Sequence, residues 1–282
     1  MNRTHSLKIT IIGAGNIGSS LVEKILCKDL VDVVWMNRSI NKAKAKAIDL
    51  MQSSYFEKFS KTVTATNDFS LSSNSQVIVI TAGEACKQGM SREDLLERNS
   101  KIIEEYLPPL LKESPKAIFV ICTNPVDAIC DHAYKILKPL GIDSKQIIGM
   151  GSSLDAARFA YFISKKLNCK ITDIIPVVTG PHNKSMQPNA QETLVKGEAL
   201  DQILSANEIN ELIESTKNSG DEIVSLLETG SAYFSPASAL VEIIDSIIND
   251  RNKEICSSIY NEELKIFTGK KVKIGANGIT RL

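Results

Sequence analysis

Net charge is missing from this chain: Lys plus Arg and Asp plus Glu each number 33, so no overall field draws it to nucleic acid or to an anionic membrane surface. Histidine is scarce, with three in 282 residues, which leaves few candidates for imidazole proton transfer. Six cysteines, at 27, 86, 122, 130, 169 and 256, include no Cys-x-x-Cys pair. That spacing suggests neither a disulfide framework nor a zinc site, and points to reduced thiols. The start, Met1 to Leu7, is polar, Ile9 to Ile12 is too short for a secretory core, and no apolar run approaches the roughly 20 residues a bilayer demands. The expectation is a soluble, cytoplasmic protein whose partner is a small molecule, with no nucleic acid and no membrane.

Apolar residues, by contrast, are plentiful at 43 %, enough to fill the cores of two lobes. Leu7 to Ile12 reads as a strand, Asn16 to Lys28 as a helix with Ile17, Leu21 and Ile25 at helical spacing, and Val31 to Met36 as a second strand. The alternation continues through a lysine-rich helix near 41–51, strands near 62–65 and 77–81, a helix from about Ser91 to Leu111 and a strand at 117–122. Strands apolar throughout fit a parallel sheet with helices on both faces. The serine-rich stretch Leu71 to Gln76 reads as a surface loop. After Gly151 the pattern changes to helices at 153–167, 206–227 and 236–252, with a last β-like stretch at Lys271 to Ile274. The expected fold is α/β: a doubly wound parallel (Rossmann) sheet in residues 1–151, followed by a mixed α/β catalytic domain in 152–282.

Gly13-Ala14-Gly15-Asn16-Ile17-Gly18 is a GxGxxG pattern between the first strand and the first helix. Gly13 permits the tight turn, Gly15 lets backbone approach a pyrophosphate, and Gly18 lets helix and strand pack closely, with the helix N-terminus facing the phosphates. A dinucleotide is therefore expected here. The second strand ends Met36-Asn37-Arg38 where an acidic residue would hold the adenine ribose of NAD. Asn37 can still bind a hydroxyl, so NAD is favoured, while the missing carboxylate and Arg38 keep NADP admissible.

Gly180-Pro181-His182-Asn183 lies 27 residues after Asp155 and 24 after Arg158 for its histidine. A histidine, a carboxylate to orient it and an arginine to hold an anion are parts that can move a proton while a cofactor moves a hydride. Asp155 and Arg158, at i and i+3, share one helix face. Each piece alone has a plainer reading: the Asp155 and Arg158 pair as a solvated ion pair, Arg92 as part of a helix start after Ser91, and His5 and His132 as structural or surface residues. The joint occurrence carries the argument.

Taken with Thr81-Ala82-Gly83, Gly89-Met90-Ser91-Arg92, Thr123-Asn124-Pro125-Val126-Asp127, Leu154-Asp155-Ala156-Ala157-Arg158-Phe159 and Gly230-Ser231-Ala232-Tyr233, these motifs run in an order that resembles the lactate/malate dehydrogenase family, nearer its malate branch. The resemblance implies a nicotinamide-dependent 2-hydroxy acid dehydrogenase acting on malate and oxaloacetate, with His182 as acid and base and Asp155 as its partner. It implies that Arg158 clamps the substrate carboxylate, that Arg92 polarises the carbonyl and that Asn124 binds near it. Gly13, Gly15, Asn16, Ile17, Gly18, Asn37, Thr81, Ala82, Gly83, Asn99 and Thr123 would line the cofactor site. No metal is implied, and the assembly would be a homodimer or homotetramer.

Three departures from that pattern bear on function. Cys86 stands where the malate branch has an arginine for the second carboxylate, leaving Lys87 as the nearest cation, so a monocarboxylic 2-oxo acid such as pyruvate is an open alternative. Asn183-Lys184 replaces the family's Gly-Asp after the histidine, and Lys184 would oppose protonation of His182 if its charge is close. The chain also ends at Arg281-Leu282, where the family continues into another helix, an ending expected to expose apolar surface to a partner subunit or to lower stability. Together these keep open a dinucleotide-binding protein with little turnover. Two further readings are a Tyr134/Lys138 pair of the YxxxK kind and a cofactor-dependent glycosidase using Cys122 at a metal.

Overall fold

The computed structural model describes residues 7–84 and 91–280, with only the backbone of Arg92. The first half runs β1 (Lys8–Ile12), α1 (Asn16–Cys27), β2 (Asp32–Met36), α2 (Ile40–Glu57), β3 (Val63–Thr66), β4 (Val77–Ile80), α3 (Arg92–Glu113), β5 (Ile118–Ile121), α4 (Val126–Leu137) and β6 (Ile147–Gly149). There follow α5 (Gly151–Leu167), β7 (Ile174–Ile175), β8 (Val178–Thr179), β9 (Gln187–Pro188), β10 (Leu194–Val195), β11 (Glu198–Ala199) and α6 (Leu200–Ile203). The last elements are α7 (Ala206–Leu227), α8 (Phe234–Ile248), β12 (Lys253–Asn261), β13 (Ile266–Gly275) and β14 (Gly278–Thr280).

Six strands pair in parallel in the order β3-β2-β1-β4-β5-β6, the doubly wound arrangement expected from the alternation. Their uninterrupted apolar character has a direct cause. Val77 and Val79 join the core under α1 and α8, whereas Ile78 and Ile80, on the opposite face, join the core under α3 and α4. Register aligns Ile12 with Met36 and Ile80, and Ile80 with Ile121, so the carboxyl ends form one rim. The strand order reverses between β1 and β4, which opens the crevice where such sheets bind ligands.

The C-terminal half holds more strand than the sequence expectation: β7, β10 and β11 form a three-stranded sheet and β8 pairs with β9. Instead of a single β-like stretch at 271–274, β12, β13 and β14 form an antiparallel meander that joins β6 and extends the same sheet to nine strands. Buried polar residues conceal the strands, because Ser257, Ser258, Asn261 and Thr268 sit at interior positions and break the apolar alternation that marks a strand. No helix among the described residues is long and apolar enough to cross a membrane.

Asp131 shows how the meander grips the first half. On α4, it accepts the Phe267 backbone N–H at 2.8 Å, and burial, with the Asp127 charge one turn away, pushes its carboxyl up from 3.8 to about 6. Because the folded state holds this proton more tightly, the favourable contribution present at low pH is lost as pH rises from about 4 to about 6. An undiscounted shift of that size corresponds to about 3 kcal/mol, and solvent screening at this partly buried carboxyl reduces it to about 1 kcal/mol. Asp131→Asn keeps an acceptor for Phe267 and is expected to raise Tm at pH 7 by about 2 °C, with no gain at pH 4; thermal melts at the two pH values check it.

Candidate active site

The loop from β1 into α1 is a backbone cradle. Gly13 has φ +109°, and a Cβ there would lie 2.7 Å from the Ala82 nitrogen, so only glycine fits. The loop is braced from below: Trp35 Nε1 donates to the Gly13 carbonyl at 2.8 Å and Thr81 Oγ1 to the Ile12 carbonyl at 2.9 Å. The upper side is open, since nothing lies within 4 Å of where a Gly15 Cβ would project. Gly15 caps α1 without a side-chain acceptor, and the first turn, from Asn16, holds no acidic residue. Its N–H groups therefore face outward with positive potential and no internal competitor for an anion. Ile17 packs behind the loop.

Two amides and a lysine shape the rim of this cradle. Asn37 Oδ1 accepts the Ala14 N–H at 3.1 Å while its Nδ2 donates to the Ser39 carbonyl at 3.0 Å, which ties the end of β2 to the glycine loop. Lys46, on which the sequence reading placed no role, reaches from α2 to the Ala14 carbonyl at 3.2 Å and Ser19 Oγ at 2.6 Å. Burial, reinforced by the Lys42 charge, lowers its pKa. Fully buried Asn99 accepts from Glu84 N at 2.8 Å and donates to the Asn124 carbonyl at 2.7 Å. Thr123 Oγ1 donates to the Ala82 carbonyl at 2.7 Å, and a Cβ on Gly83 would meet the Thr123 methyl at 2.7 Å. Asn99 and Thr123 thus hold the β4 and β5 ends side by side, with the Asn124 side chain exposed beyond them.

Across the rim stands the histidine. His182 Nδ1 lies 2.6 Å from Asp155 Oδ2, and Asp155 is fully buried. An ionised carboxylate can only accept, so Nδ1 carries the hydrogen and Nε2 is the nitrogen left for chemistry. Asp155 also accepts from Arg158 NH1 at 3.4 Å, from one turn along α5 as the i, i+3 spacing predicted. Burial draws the Arg158 pKa down against the pull of Asp155, and Arg158 Nε is buried without a hydrogen-bond partner among the described residues. A guanidinium so placed retains donors for a planar anion. Gly151 lets the imidazole approach α5, because a Cβ there would stand 2.8 Å from the ring carbon of His182.

Tertiary structure gives Lys184 a partner of opposite charge. Its ammonium turns to α7, pairing with Asp221 at 2.8 Å and Asn218 at 3.2 Å. Asn183 takes over the turn by accepting the Ser185 N–H at 2.7 Å. Lys87 and Cys86 lie outside the described residues, as does the Arg92 side chain, although Arg92 begins α3 after the capping Ser91. Tyr134 packs against Tyr260 with ring centroids 4.9 Å apart and carries Lys138 over its own ring, so the YxxxK pair belongs to an aromatic cluster between α4 and β12. Cys122 is buried at the end of β5, and that burial pushes its thiol up to about 12. His132 pairs with Glu104 at 2.8 Å on α4 and α3.

A phosphate cradle at the switch point of a doubly wound sheet, with a histidine–carboxylate pair across the crevice, defines the class of nicotinamide-dependent oxidoreductases. The chain belongs to the lactate/malate dehydrogenase family: residues 7–149 match its NAD binding domain and 152–282 its alpha/beta C-terminal domain. It is an NAD-dependent dehydrogenase of that family. It is 39 % identical over 280 residues to a malate dehydrogenase of Methanosarcina mazei, covering 98 % of this chain and 90 % of that one. A malate dehydrogenase of Dehalococcoides mccartyi is 36 % identical, with the same coverage. The crystal structure of Cryptosporidium parvum malate dehydrogenase superposes with a TM-score of 0.92 at 33 % identity, over 98 % of this chain and 90 % of that one. The same organism's lactate dehydrogenase, solved with lactic acid and the nicotinamide cofactor, superposes with a TM-score of 0.92 at 28 % identity, over 99 % and 90 %.

The open upper side of the cradle fits a dinucleotide, and a single methyl group tests it. A Cβ on Gly18 would overlap the Gly13 carbonyl and lie 2.8 Å from Thr81 Oγ1. Gly18→Ala is therefore expected to cost about 2 kcal/mol of stability, read by thermal melting. Displacing the N–H groups should also weaken NADH by about tenfold or more, read by fluorescence titration; unchanged affinity would place the cofactor elsewhere.

Proposed function

We propose that the protein interconverts malate and oxaloacetate with NAD. The observation that carries the reading is the 2.6 Å contact between His182 Nδ1 and buried Asp155, with Arg158 on the same face of α5. Gly13, Gly15, Asn16, Ile17 and Gly18 would hold the pyrophosphate, and Asn37 would border the adenosine ribose. Thr81, Ala82, Gly83, Asn99 and Thr123 would frame the nicotinamide end. Bound NAD supplies the site that takes hydride from C2 of the hydroxy acid. His182 Nε2 takes the hydroxyl proton as the carbonyl forms, and returns it in the reverse direction. Asp155 holds the imidazole in the required tautomer and stabilises the imidazolium. Arg158 grips the carboxylate beside C2, Arg92 would polarise the carbonyl, Asn124 would bind near it, and Lys87 would meet the second carboxylate.

Residues 1–151 would serve the cofactor and 152–282 the substrate. Exposed Ile48, Tyr55 and Phe56 on α2 support a homodimer or homotetramer, and free Cys27, Cys122, Cys130, Cys169 and Cys256 support a cytoplasmic setting. The test follows absorbance of NADH or NADPH with oxaloacetate, pyruvate and longer 2-oxo acids. Oxidation of NADH with oxaloacetate is expected. Turnover confined to pyruvate would assign the substrate to a monocarboxylate, as Cys86 suggests, and bound cofactor with no turnover would leave only a binding protein.

A further inference from the structure

Asp127, in the first turn of α4, closes the Asn-Pro-Val-Asp motif and takes no part in the proposed proton or hydride transfer. A carboxylate there has an ordinary explanation in the helix dipole. Its contacts point elsewhere. Asp127 Oδ2 accepts the backbone N–H of His182 at 2.7 Å, 55 residues away in sequence, and Oδ1 accepts the Ser258 hydroxyl from β12. We infer that Asp127 is a positioning residue, which fixes the main chain of the His182 turn while Asp155 fixes the ring. The inference rests on His182 being the proton-transfer group.

Gly180 and Gly269 exchange hydrogen bonds of 2.9 Å in both directions, which pins one side of the turn to β13. Pro181 has no N–H to offer, and the Asn183 N–H closes back on the Pro181 carbonyl at 2.8 Å. The His182 N–H is therefore the donor that anchors the far side, and Asp127 is its acceptor. Asp127 also lies three residues after Asn124, whose carbonyl is held by Asn99 at 2.7 Å. The carboxylate thus places His182 in one frame with the loop that presents Asn124. Two donors converge on the group, and a carboxylate is the small side chain with an acceptor for each. Ser258, on the meander, keeps Oδ2 turned toward the histidine.

Asparagine separates positioning from charge. Its oxygen can accept the His182 N–H while its NH2 donates to Ser258, whose hydroxyl serves equally as acceptor. Alanine removes both contacts. The experiment uses the full chain and measures kcat and KM with oxaloacetate, NADH affinity by fluorescence, melting temperature, and hydrogen exchange of peptides spanning 178–186. Asp127→Ala is expected to lower kcat about 100-fold with NADH affinity changed less than about threefold, since a misplacement near 1 Å costs that much. Exchange in 178–186 should rise in that variant, whereas Asp127→Asn should keep wild-type protection and a kcat within about tenfold. Equal losses in the two variants, or an alanine variant within about threefold of wild type, would overturn the inference. Should Asp127→Ala fail to fold, Ser258→Ala supplies the second variant, and raised exchange in 178–186 is the result expected of it. If the wild type turns over no 2-oxo acid, the dehydrogenase reading falls by itself. Exchange then decides the clamp alone, and wild-type protection in Asp127→Ala or, failing that, Ser258→Ala overturns it.

Discussion

Replacing His182 by asparagine is expected to lower kcat about 1000-fold, the middle of the range for loss of a general acid–base group. Asparagine is close in size and its NH2 can still donate to Asp155, so the 2.6 Å contact has a substitute and α5 keeps its packing. What disappears is a nitrogen able to take and return a proton. NADH affinity should stay near wild type, because the cradle is built from β1, α1 and the β4 end, braced by Trp35 and Thr81, with no support from residue 182. Steady-state turnover with oxaloacetate and a fluorescence titration of NADH check the two halves. A variant retaining turnover within about tenfold would show that another group handles the proton.

Arg158→Gln should act differently. Its side chain is 15 % exposed, Nε has no hydrogen-bond partner among the described residues, and its contact with Asp155 is a long 3.4 Å. A buried guanidinium with unused donors stands ready for a carboxylate, and two charge-assisted bonds are worth about 4 kcal/mol together. The expected result is a fall in kcat/KM for the 2-oxo acid of about 1000-fold, carried mainly by KM. Arg158→Lys should recover only part of this, since an ammonium keeps the charge and loses the fork. Kinetics at varied oxaloacetate separate KM from kcat; loss confined to kcat would mean that Arg158 supports Asp155 instead of binding substrate.

The chain shows unevenly which parts of the molecule are legible without coordinates. The cradle was readable because its requirements are local: glycine at φ +109°, a strand before it and a helix after it. The long helix Ala206–Leu227 matched its expected bounds because its apolar spacing persists over many turns. The meander of β12, β13 and β14 was not readable, because its interior serines find partners elsewhere in the chain, Ser257 at Ser153 Oγ 3.3 Å away and Ser258 at Asp127. The stretch Leu71 to Gln76 meets the expectation at exposed Leu71 and Asn74, but not throughout. Ser72 and Ser75 are buried, and Ser75 Oγ lies 2.8 Å from Thr10 Oγ1 under the sheet, where a surface loop was expected.

By itself, then, the sequence determined the element order of the first half, the phosphate cradle and the shared face of Asp155 and Arg158, because steric and periodic rules act between near neighbours in the chain. Only tertiary structure decided that Lys184 pairs with Asp221. It also decided that Asp127 receives the His182 N–H, and that Asn37 and Lys46 lean on the glycine loop. Each is a contact between segments distant in sequence, whose direction depends on how the sheet and helices pack, and no local pattern records that geometry.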